Sequence, residues 1–510
     1  MKRLIFLFSL ISAISLNLQA QGDIEALRYS RYFYGGSARS SAMGGAFGAL
    51  GADFSSISIN PAGLGLYRST EFSMTPSFNV TNASSKYFGA DGDYQDFDYK
   101  LNLNNLGIVS VIPTGNESGV KSINLGFGYN RIADFDENSM IEGTNFNSSF
   151  LDKLSSNADG IHPLDLNPYL ERLAFDSYLL DTIPGTYDYV NAAPRSESGD
   201  IVPEGILQRK ISSKSGKMNE TLLSMGFNVS DRLYFGLAVG FIKIKYNEEN
   251  SYFERNNSME QTIDYFRDYT FSESLFTTGS GYNFKIGFIG RPVDFVRLGV
   301  SFHSPSFLSI QEDYMTNMKA NYDLPDVDGY SSYNRDPYDP NTGDKLTSSL
   351  YEYDINTPLR ATGSVAFIIQ KMGLISVDYE YVDYSRMRMR FGVDEKTYEL
   401  EVNNNIESLY QATHNIRIGA EFRISSLYLR GGYALYGSPL KKMEGIQDAT
   451  VSVYSAGIGI NAGSFFFDVA YSLNQSSYTQ FLYDNNIPTG ADIERINSKL
   501  MATMGLRFGK

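Results

Sequence analysis

Apolar and polar residues alternate with a period of two along much of this chain, which is the pattern of strands with one apolar face. In 71–81, Phe72 and Met74 share one face, while Ser73 and Thr75 share the other. Runs of this kind predict fourteen strands, at 71–81, 101–112, 121–132, 219–229, 233–246, 281–291, 295–304, 360–369, 373–390, 412–424, 427–436, 451–461, 465–475 and 500–508. Most are about 10–12 residues long, the length that a tilted strand needs to cross a membrane.

The connections between these strands alternate between long and short. Long segments lie at 82–100, 133–218, 247–280, 305–359, 391–411, 437–450 and 476–496, and short ones at 113–120, 230–232, 292–294, 370–372, 425–426 and 462–464. Outer-membrane barrels have an even number of strands, long extracellular loops and short periplasmic turns. The sequence therefore predicts an all-β fold, a transmembrane antiparallel β-barrel of about fourteen strands.

The two faces of each strand fit this prediction. Ile416 and Phe422 would face lipid, and Arg417 would face the lumen. This sorting is informative because a charge on the lipid face at the bilayer midplane costs roughly 2–4 kcal/mol. Lys243 and Lys245 have lipid-side parity near an outer strand end, where long side chains can reach lipopolysaccharide phosphates.

Composition narrows the functional classes further. The chain has 37 Tyr, 34 Phe and 46 Gly but no Cys and no Trp, and its formal net charge is −15. The absence of Cys excludes disulfides, thiol catalysis and Cys-based metal sites, and the negative charge argues against nucleic acid as a partner. Outside the first twenty residues, no apolar stretch approaches the ~18 residues of a membrane helix.

The first twenty residues have the organisation of a signal peptide. Lys2 and Arg3 form a positive region, 4–16 is apolar, and Ala20 is a small residue at a plausible cleavage point. We predict that 1–20 directs export and that the mature chain functions in the bacterial outer membrane.

Residues 21–70 do not follow the strand pattern. The run 35–46 is rich in Gly, Ala and Ser, and 60–64 reads Asn-Pro-Ala-Gly-Leu. Small residues allow backbones to approach closely in a confined space, so we predict an N-terminal hatch at 21–70 inside a barrel formed by 71–510. Charged lumen residues either pair with one another across neighbouring strands or hold the hatch through residues such as Arg39.

These segments resemble a known family. Three parts of the chain are similar to the FadL family of outer-membrane hydrophobic-compound (long-chain fatty acid) transporters. They are the segment ending at 60–64 directly before the first strand, 279–282 leading into 297–305, and 357–360 followed by 376–379. The likeness covers essentially the whole mature chain. The long loops 133–218 and 305–359 depart from the better-known members of the family.

The resemblance implies three functional regions. The hatch would be seated and gated by Asn60, Pro61, Ala62, Gly63 and Leu64. A lateral opening toward the bilayer would lie at Gly126 and Gly128. A ligand-capture loop would include Phe150, Leu154, Leu170, Leu173, Phe175, Tyr178 and Leu179. The residues leave two questions open. The first is whether the loop captures ligand or only packs on itself. The second is whether the 60–64 motif is a hinge that lets the hatch move or a rigid turn that anchors it.

The sequence predicts no enzyme, no cofactor and no metal. HExxH, GxSxG and phosphate-binding loop motifs are absent. His303 beside Ser304 would suit an outer-membrane lipid hydrolase, but strand parity places His303 inside the barrel. The acidic clusters at 91–98 and 323–328 lack the downstream Glu of a calcium loop, so they are interpreted as solvated loop charge.

The predicted function is passive uptake of hydrophobic molecules, such as long-chain fatty acids, through a hatch-gated barrel. The alternative is a non-transport barrel of the same fold that serves as an accessory or docking component in protein secretion or surface assembly. The predicted partners are outer-membrane lipid and lipopolysaccharide, an apolar small-molecule ligand, and the barrel-assembly machinery during insertion. A monomer is expected.

Overall fold

A computed structural model describes residues 22–33, 36–87, 94–196, 198–258, 265–324, 330–346, 348–443, 446–483 and 490–509. The predicted signal peptide at 1–20 lies outside the described residues, and so does part of each acidic cluster, at Asp91, Asp93, Asp326 and Asp328. Within the described ranges, no helix is both long and apolar enough to cross a membrane.

Most of the described chain forms antiparallel strands. In chain order they are β1 Thr70–Lys86, β2 Tyr94–Pro113, β3 Val120–Asp134, β4 Glu137–Asn145, β5 Leu180–Thr182, β6 Tyr189–Asn191, β7 Ile206–Val229, β8 Leu233–Asn256, β9 Phe266–Val293, β10 Val296–His303, β11 Phe307–Tyr322, β12 Ser331–Arg335, β13 Ser349–Asn356, β14 Arg360–Ile369, β15 Gly373–Asp383, β16 Arg388–Arg390, β17 Ala412–Ile424, β18 Leu427–Tyr436, β19 Val451–Asn461, β20 Phe465–Phe481 and β21 Gly490–Phe508.

The helices are short. They are α1 Gly22–Ser30, α2 Ala38–Ala42, α3 Ser56–Ile59, α4 Phe150–Ala158, α5 Glu171–Asp176 and α6 Lys396–Leu409. Turns of 3₁₀ helix lie at Pro61–Leu66, Pro163–Asp165, Tyr384–Arg386 and Val393–Glu395.

Fourteen of the strands form the barrel wall, in the order β1, β2, β3, β7, β8, β9, β10, β14, β15, β17, β18, β19, β20 and β21. The ring closes because β21 pairs with β1, from Thr70 opposite Phe508 to Lys86 opposite Asp492. Every strand predicted from the alternating pattern corresponds to one of these fourteen. The predicted fold class, a closed antiparallel barrel of fourteen strands, is confirmed.

The predicted strand 373–390 is shorter than expected. β15 ends at Asp383, whose side chain accepts a hydrogen bond from the Ser385 amide and caps the 3₁₀ turn Tyr384–Arg386. The chain returns to strand geometry only in β16, which pairs with β13 rather than extending the wall. A local side-chain cap thus interrupts a pattern that alternation alone would continue.

The wall has an apolar outside and a polar inside, as its alternation predicts. On β17, Ile416, Ile418 and Phe422 are exposed on the outer face, whereas Arg417 is 1 % exposed in the lumen. The short turns lie at one end of the barrel, which we call the short-turn end. The other end is the long-loop end, where β7, β8 and β9 extend far beyond the belt and join β4, β11, β12 and β13.

The lumen is filled by the N-terminal residues. At the long-loop end, α1 packs in an apolar cluster that includes Ala26, Tyr29, Tyr246 and Ile355. Toward the short turns, residues 38–66 are almost entirely buried and contact the wall on several sides.

Candidate transport site

The N-terminal segment, residues 36–66, is seated against glycines that face the lumen. A Cβ built at Gly432 would lie 2.2 Å from the amide nitrogen of Gly44, and one at Gly236 would lie 2.2 Å from the carbonyl carbon of Pro61. A similarly close approach to the segment occurs at Gly226, Gly299 and Gly419. The segment therefore packs backbone against backbone, and any side chain at these wall positions would displace it.

The predicted gating motif forms hydrogen bonds both within itself and to the wall. Asn60 accepts a hydrogen bond from the Ala62 amide at 3.0 Å, and its Nδ2 donates to the carbonyl of Phe288 on β9 at 3.2 Å. Pro61 begins the 3₁₀ turn, and Asn124 of β3 donates to the carbonyl of Leu64 at 2.7 Å. The motif is anchored to two parts of the wall in this conformation, while its gating role stays a prediction.

Position 63 has room only for glycine. A Cβ there would lie 2.5 Å from Ser56 Oγ and 3.0 Å from Gly51 Cα, and the residue does not have a positive φ. A larger side chain would separate the 3₁₀ turn from the loop that precedes α3.

Charged lumen residues both pair across the wall and hold the segment. Arg39 of α2 contacts Glu421 at 2.9 Å, and Glu421 also contacts Arg430 at 2.7 Å. Arg430 continues this chain of ion pairs to Asp468 on β20 at 2.6 Å. The sequence left open whether charged lumen residues pair with one another or hold the N-terminal segment. In this network they do both.

His303 and Ser304 bond to separate parts of the chain. His303 Nε2 lies 3.0 Å from the carbonyl oxygen of Ile59, in the N-terminal segment. Ser304 Oγ accepts from the Phe284 amide at 2.9 Å and donates to the Pro305 carbonyl at 2.8 Å. These contacts fix the segment and the end of β10.

Helix α1 brings a buried ion pair into the lumen at the long-loop end. Arg28 contacts Glu25 at 3.3 Å and Glu248 of β8 at 3.4 Å, and its guanidinium lies 4.2 Å from the ring centre of Tyr246. Burial raises the pKa of Glu25 to about 8, although the Arg28 charge opposes this shift.

The glycines predicted to form a lateral opening face the N-terminal segment. A Cβ at Gly128 would lie 2.4 Å from Phe54 Cζ, and one at Gly126 would lie 3.2 Å from Ile57 and from Leu64. Both glycines are paired continuously with β2 and β7, and β3 shifts its register only on either side of them. An opening at these residues stays a prediction.

The outer wall carries an apolar recess at the same place, with a volume of about 830 Å³. Its apolar lining includes Ile108, Leu125, Phe127, Leu223, Met225, Leu237, Phe284, Ile286, Phe302 and Leu359. It also reaches the lumen-facing positions Gly126, Ser224 and Ala238. Leu64, Ile57 and Ala238 belong to one buried cluster, so small side chains separate the recess from the N-terminal segment at Gly126, Ser224 and Ala238. The larger Lys285 and His303 line the recess beside them.

The predicted capture loop forms a packed cap at the long-loop end. Phe150, Leu154, Leu173 and Leu179 are at most 8 % exposed, in a core shared with strand extensions of the barrel. Leu170 and Phe175 are partly buried against this core. Tyr178 is 63 % exposed. A loop that captures an apolar ligand would expose apolar side chains, whereas most of these side chains lie in the interior of the cap. Capture of a ligand there stays a prediction.

Sequence reasoning missed Phe54 and Ile57, the side chains that fill the lumen beside the recess. The signal that was available is the series of glycines at lumen parity on successive strands: Gly107, Gly128, Gly226, Gly236 and Gly287. Gly107 pairs with Gly128 across β2 and β3, and Gly236 pairs with both Gly226 and Gly287.

Comparison with known proteins gives a fold relationship. No protein-family model matches the chain, and no curated protein sequence matches it. Among solved structures, a FadL homologue from Pseudomonas aeruginosa aligns with a TM-score of 0.51 and 12 % identity, over 93 % of this chain and 98 % of the homologue. The toluene transporter TodX from P. putida aligns with a TM-score of 0.51 and 11 % identity, over 93 % of this chain and 99 % of TodX.

The predicted resemblance is therefore confirmed at the level of the fold. A closed ring of fourteen strands with an apolar exterior satisfies every backbone group of a membrane-spanning sheet. This is the architecture of a multi-pass protein of the bacterial outer membrane. Long loops are extracellular in such barrels, so we expect the long-loop end to be extracellular.

Proposed function

We propose that this chain is an outer-membrane channel that takes up hydrophobic molecules by passive diffusion and releases them sideways through its wall. The N-terminal segment is the gate. The substrates are apolar molecules of the size of an aromatic hydrocarbon, for which the structurally similar toluene transporter TodX provides a precedent, or of an acyl chain, as the resemblance to the FadL family implies.

The observation that carries the proposal is the apolar recess on the outer wall. It lies over Gly126, Ser224 and Ala238, and the apolar side chains of Ile57 and Leu64 pack against the other side of this small-residue stretch. Passage requires withdrawal of the segment and a local separation of the wall strands, which are paired at this place through Gly126, Ser224 and Ala238. An apolar molecule would then pass into the bilayer without crossing the polar lumen near the short turns.

The polar contacts of the segment, an ion pair and a hydrogen bond, suit a gate that is closed at rest. Arg39 with Glu421 holds α2, and His303 with Ile59 holds the end of α3. The Arg39–Glu421 pair lines a different cavity, near the short turns, whereas His303 lines the recess itself. The segment therefore has polar attachments as well as an apolar closing surface.

One observation favours the alternative of a non-transport accessory barrel in secretion or surface assembly. The extracellular cap is a well-packed structure with its own core, formed by α4, α5 and the extended strands. Such a cap suits docking of another protein. Uptake measurements separate the two functions because a docking barrel does not require a path through its wall.

The test is a substitution that fills the small-residue stretch. Gly126→Leu places a side chain between the recess and Ile57, whereas Gly363→Leu is the matched control because a Cβ at Gly363 meets no atom within 4 Å. With folded protein in both cases, we expect toluene or oleate uptake by cells to fall at least several-fold in Gly126→Leu and to match wild type in Gly363→Leu. Equal uptake in all three proteins would contradict lateral release at this place.

A further inference from the structure

Three lysines form a cluster on the outer surface of the wall. Lys217 of β7 and Lys243 and Lys245 of β8 are all exposed, on the face that carries the apolar belt. Lys217 lies directly opposite Lys245 across the two strands. Like charges in such cross-strand positions repel each other, so a bound anion would stabilise the arrangement.

The cluster lies at the extracellular boundary of the apolar belt. Outward side chains of β8 are apolar from Leu233 to Phe241, and Lys243 follows immediately. The distance from Leu233 to Lys243 is about 33 Å along the strand at 3.3 Å per residue, or about 25 Å of membrane depth at a tilt near 40°. Phe241 pairs with Tyr282 of β9, so the lysines lie just outside an aromatic pair of the kind found at membrane interfaces.

The part of the chain that the structure describes places no carboxylate against the cluster. Within the described residues, none of the three lysines forms an ion pair with a carboxylate. Asp134 is opposite Lys217 on β3, but its Oδ2 accepts a hydrogen bond from Asn79 at 2.6 Å and contacts Arg131 at 3.5 Å.

The neighbouring outward positions are neutral. Lys243 is opposite Ser280 and Asn219, and Lys245 is opposite Thr278. The chain as a whole is acidic, with a formal net charge of −15, so a group of three positive side chains at one membrane level has the opposite charge to the rest of the chain.

We propose that Lys217, Lys243 and Lys245 bind the phosphate of a glycolipid of the outer leaflet, the lipid A portion of lipopolysaccharide. Lysine stems lie along the apolar wall, where they contact acyl chains, and their ammonium groups reach the headgroup level. Lysine binds phosphate as a compact point charge. The site depends on the orientation of the barrel in the membrane and does not depend on transport.

The experiment measures lipid A binding to the full chain in detergent by native mass spectrometry. The test variant carries Lys217→Gln, Lys243→Gln and Lys245→Gln. The matched control carries Lys319→Gln, Lys371→Gln and Lys442→Gln, which removes the same charge from exposed lysines elsewhere. We expect wild type and control to bind diphosphoryl lipid A at least tenfold more tightly than the test variant.

Two further arms identify the phosphate and its source. Lipid A without phosphate should bind wild type as weakly as diphosphoryl lipid A binds the test variant, a comparison that does not depend on folding of the variant. A tenfold molar excess of inorganic phosphate over lipid A should leave the complex intact. Equal binding of lipid A with and without phosphate overturns the proposal, and so does displacement by inorganic phosphate, which would indicate a free-phosphate site.

Discussion

Contact between the barrel wall and the N-terminal segment depends on individual residues of both. Gly432 and Gly236 leave room for the segment's backbone, and a Cβ at either position would lie 2.2 Å from a backbone atom. Asn60 satisfies its own turn and also bonds to a strand carbonyl. The segment is therefore held by many short-range contacts, each of which depends on one residue type.

Glu25 makes the seating of α1 dependent on pH. Burial raises its pKa to about 8 from an ordinary value of 4.5, with Arg28 lowering it and Glu312 and Asp23 raising it. A raised pKa means that the carboxyl favours the seated helix fully below pH 4.5, and that this contribution is lost as the pH rises through 8. We expect the amides of 22–33 to be less protected from hydrogen exchange at pH 8.5 than at pH 5.5, after correction for intrinsic rates.

Glu25→Gln should remove most of this difference, because an amide cannot lose its proton in this range. Glu352→Gln changes an exposed carboxylate and should leave the difference in protection between pH 5.5 and pH 8.5 unchanged. If the protection in wild type is the same at both pH values, Glu25 does not control the seating of α1.

At the scale of elements, the cap shows how helices are added to a barrel. Ser149 and Asp152 form a reciprocal capping box at the start of α4. Phe150 and Leu154 then point into a core with Tyr252 and Phe271, which lie on the extensions of β8 and β9. The long wall strands thus provide a platform on which the loop folds.

Within the cap, Leu173 is a core residue and Tyr178 is a candidate for ligand binding. Leu173 is fully buried and Tyr178 is 63 % exposed, although they are close in sequence. Leu173→Ala should destabilise the cap by about 2–5 kcal/mol, seen as faster limited proteolysis within 146–183. Tyr178→Ser should leave proteolysis unchanged and, if the exposed face captures ligand, should lower uptake of toluene or oleate at low concentration.

Both parts of this prediction have a contrary result. Unchanged proteolysis of Leu173→Ala would show that the cap does not depend on its core. Unchanged uptake by Tyr178→Ser would leave the cap as a packed structure without a capture role.

For the whole molecule, the closed wall and the N-terminal segment contribute separately to stability. The wall closes through β1 and β21 without any residue of the segment, whereas the apolar clusters that the segment forms, such as Met43, Phe47 and Leu50 with Ala366, include wall residues. Removal of the segment should therefore leave a folded barrel with an open, polar lumen.

Deletion of residues 23–58 should raise small-ion conductance in planar bilayers. Gly432→Leu should do so to a smaller extent, because its side chain would collide with the backbone at Gly44. Gly431→Leu is the matched control on the same strand, since a Cβ at Gly431 meets no atom within 4 Å. A deletion barrel that folds but conducts no more than wild type would show that 22–66 does not close the lumen.

The sequence alone determined the number of wall strands, their order and the side chains that face lipid, but not the strands within the long loops, such as β4, β11 and β13. It did so because the two-residue alternation is local, and because each strand separately must be apolar outside and polar inside. The loop lengths fixed which end carries the cap. The run of small residues and the 60–64 motif identified the segment that fills the lumen.

Only the tertiary structure decided which residues meet inside the barrel. The Arg39–Glu421 pair joins residues that are 382 positions apart, and Gly126 faces Ile57 and Leu64 only when the register of several strands is known. Burial of Leu173 beside exposed Tyr178 likewise depends on the strands beneath the cap. Such contacts depend on tilt, register and chain path together, and alternation along one strand carries no information about partners on another.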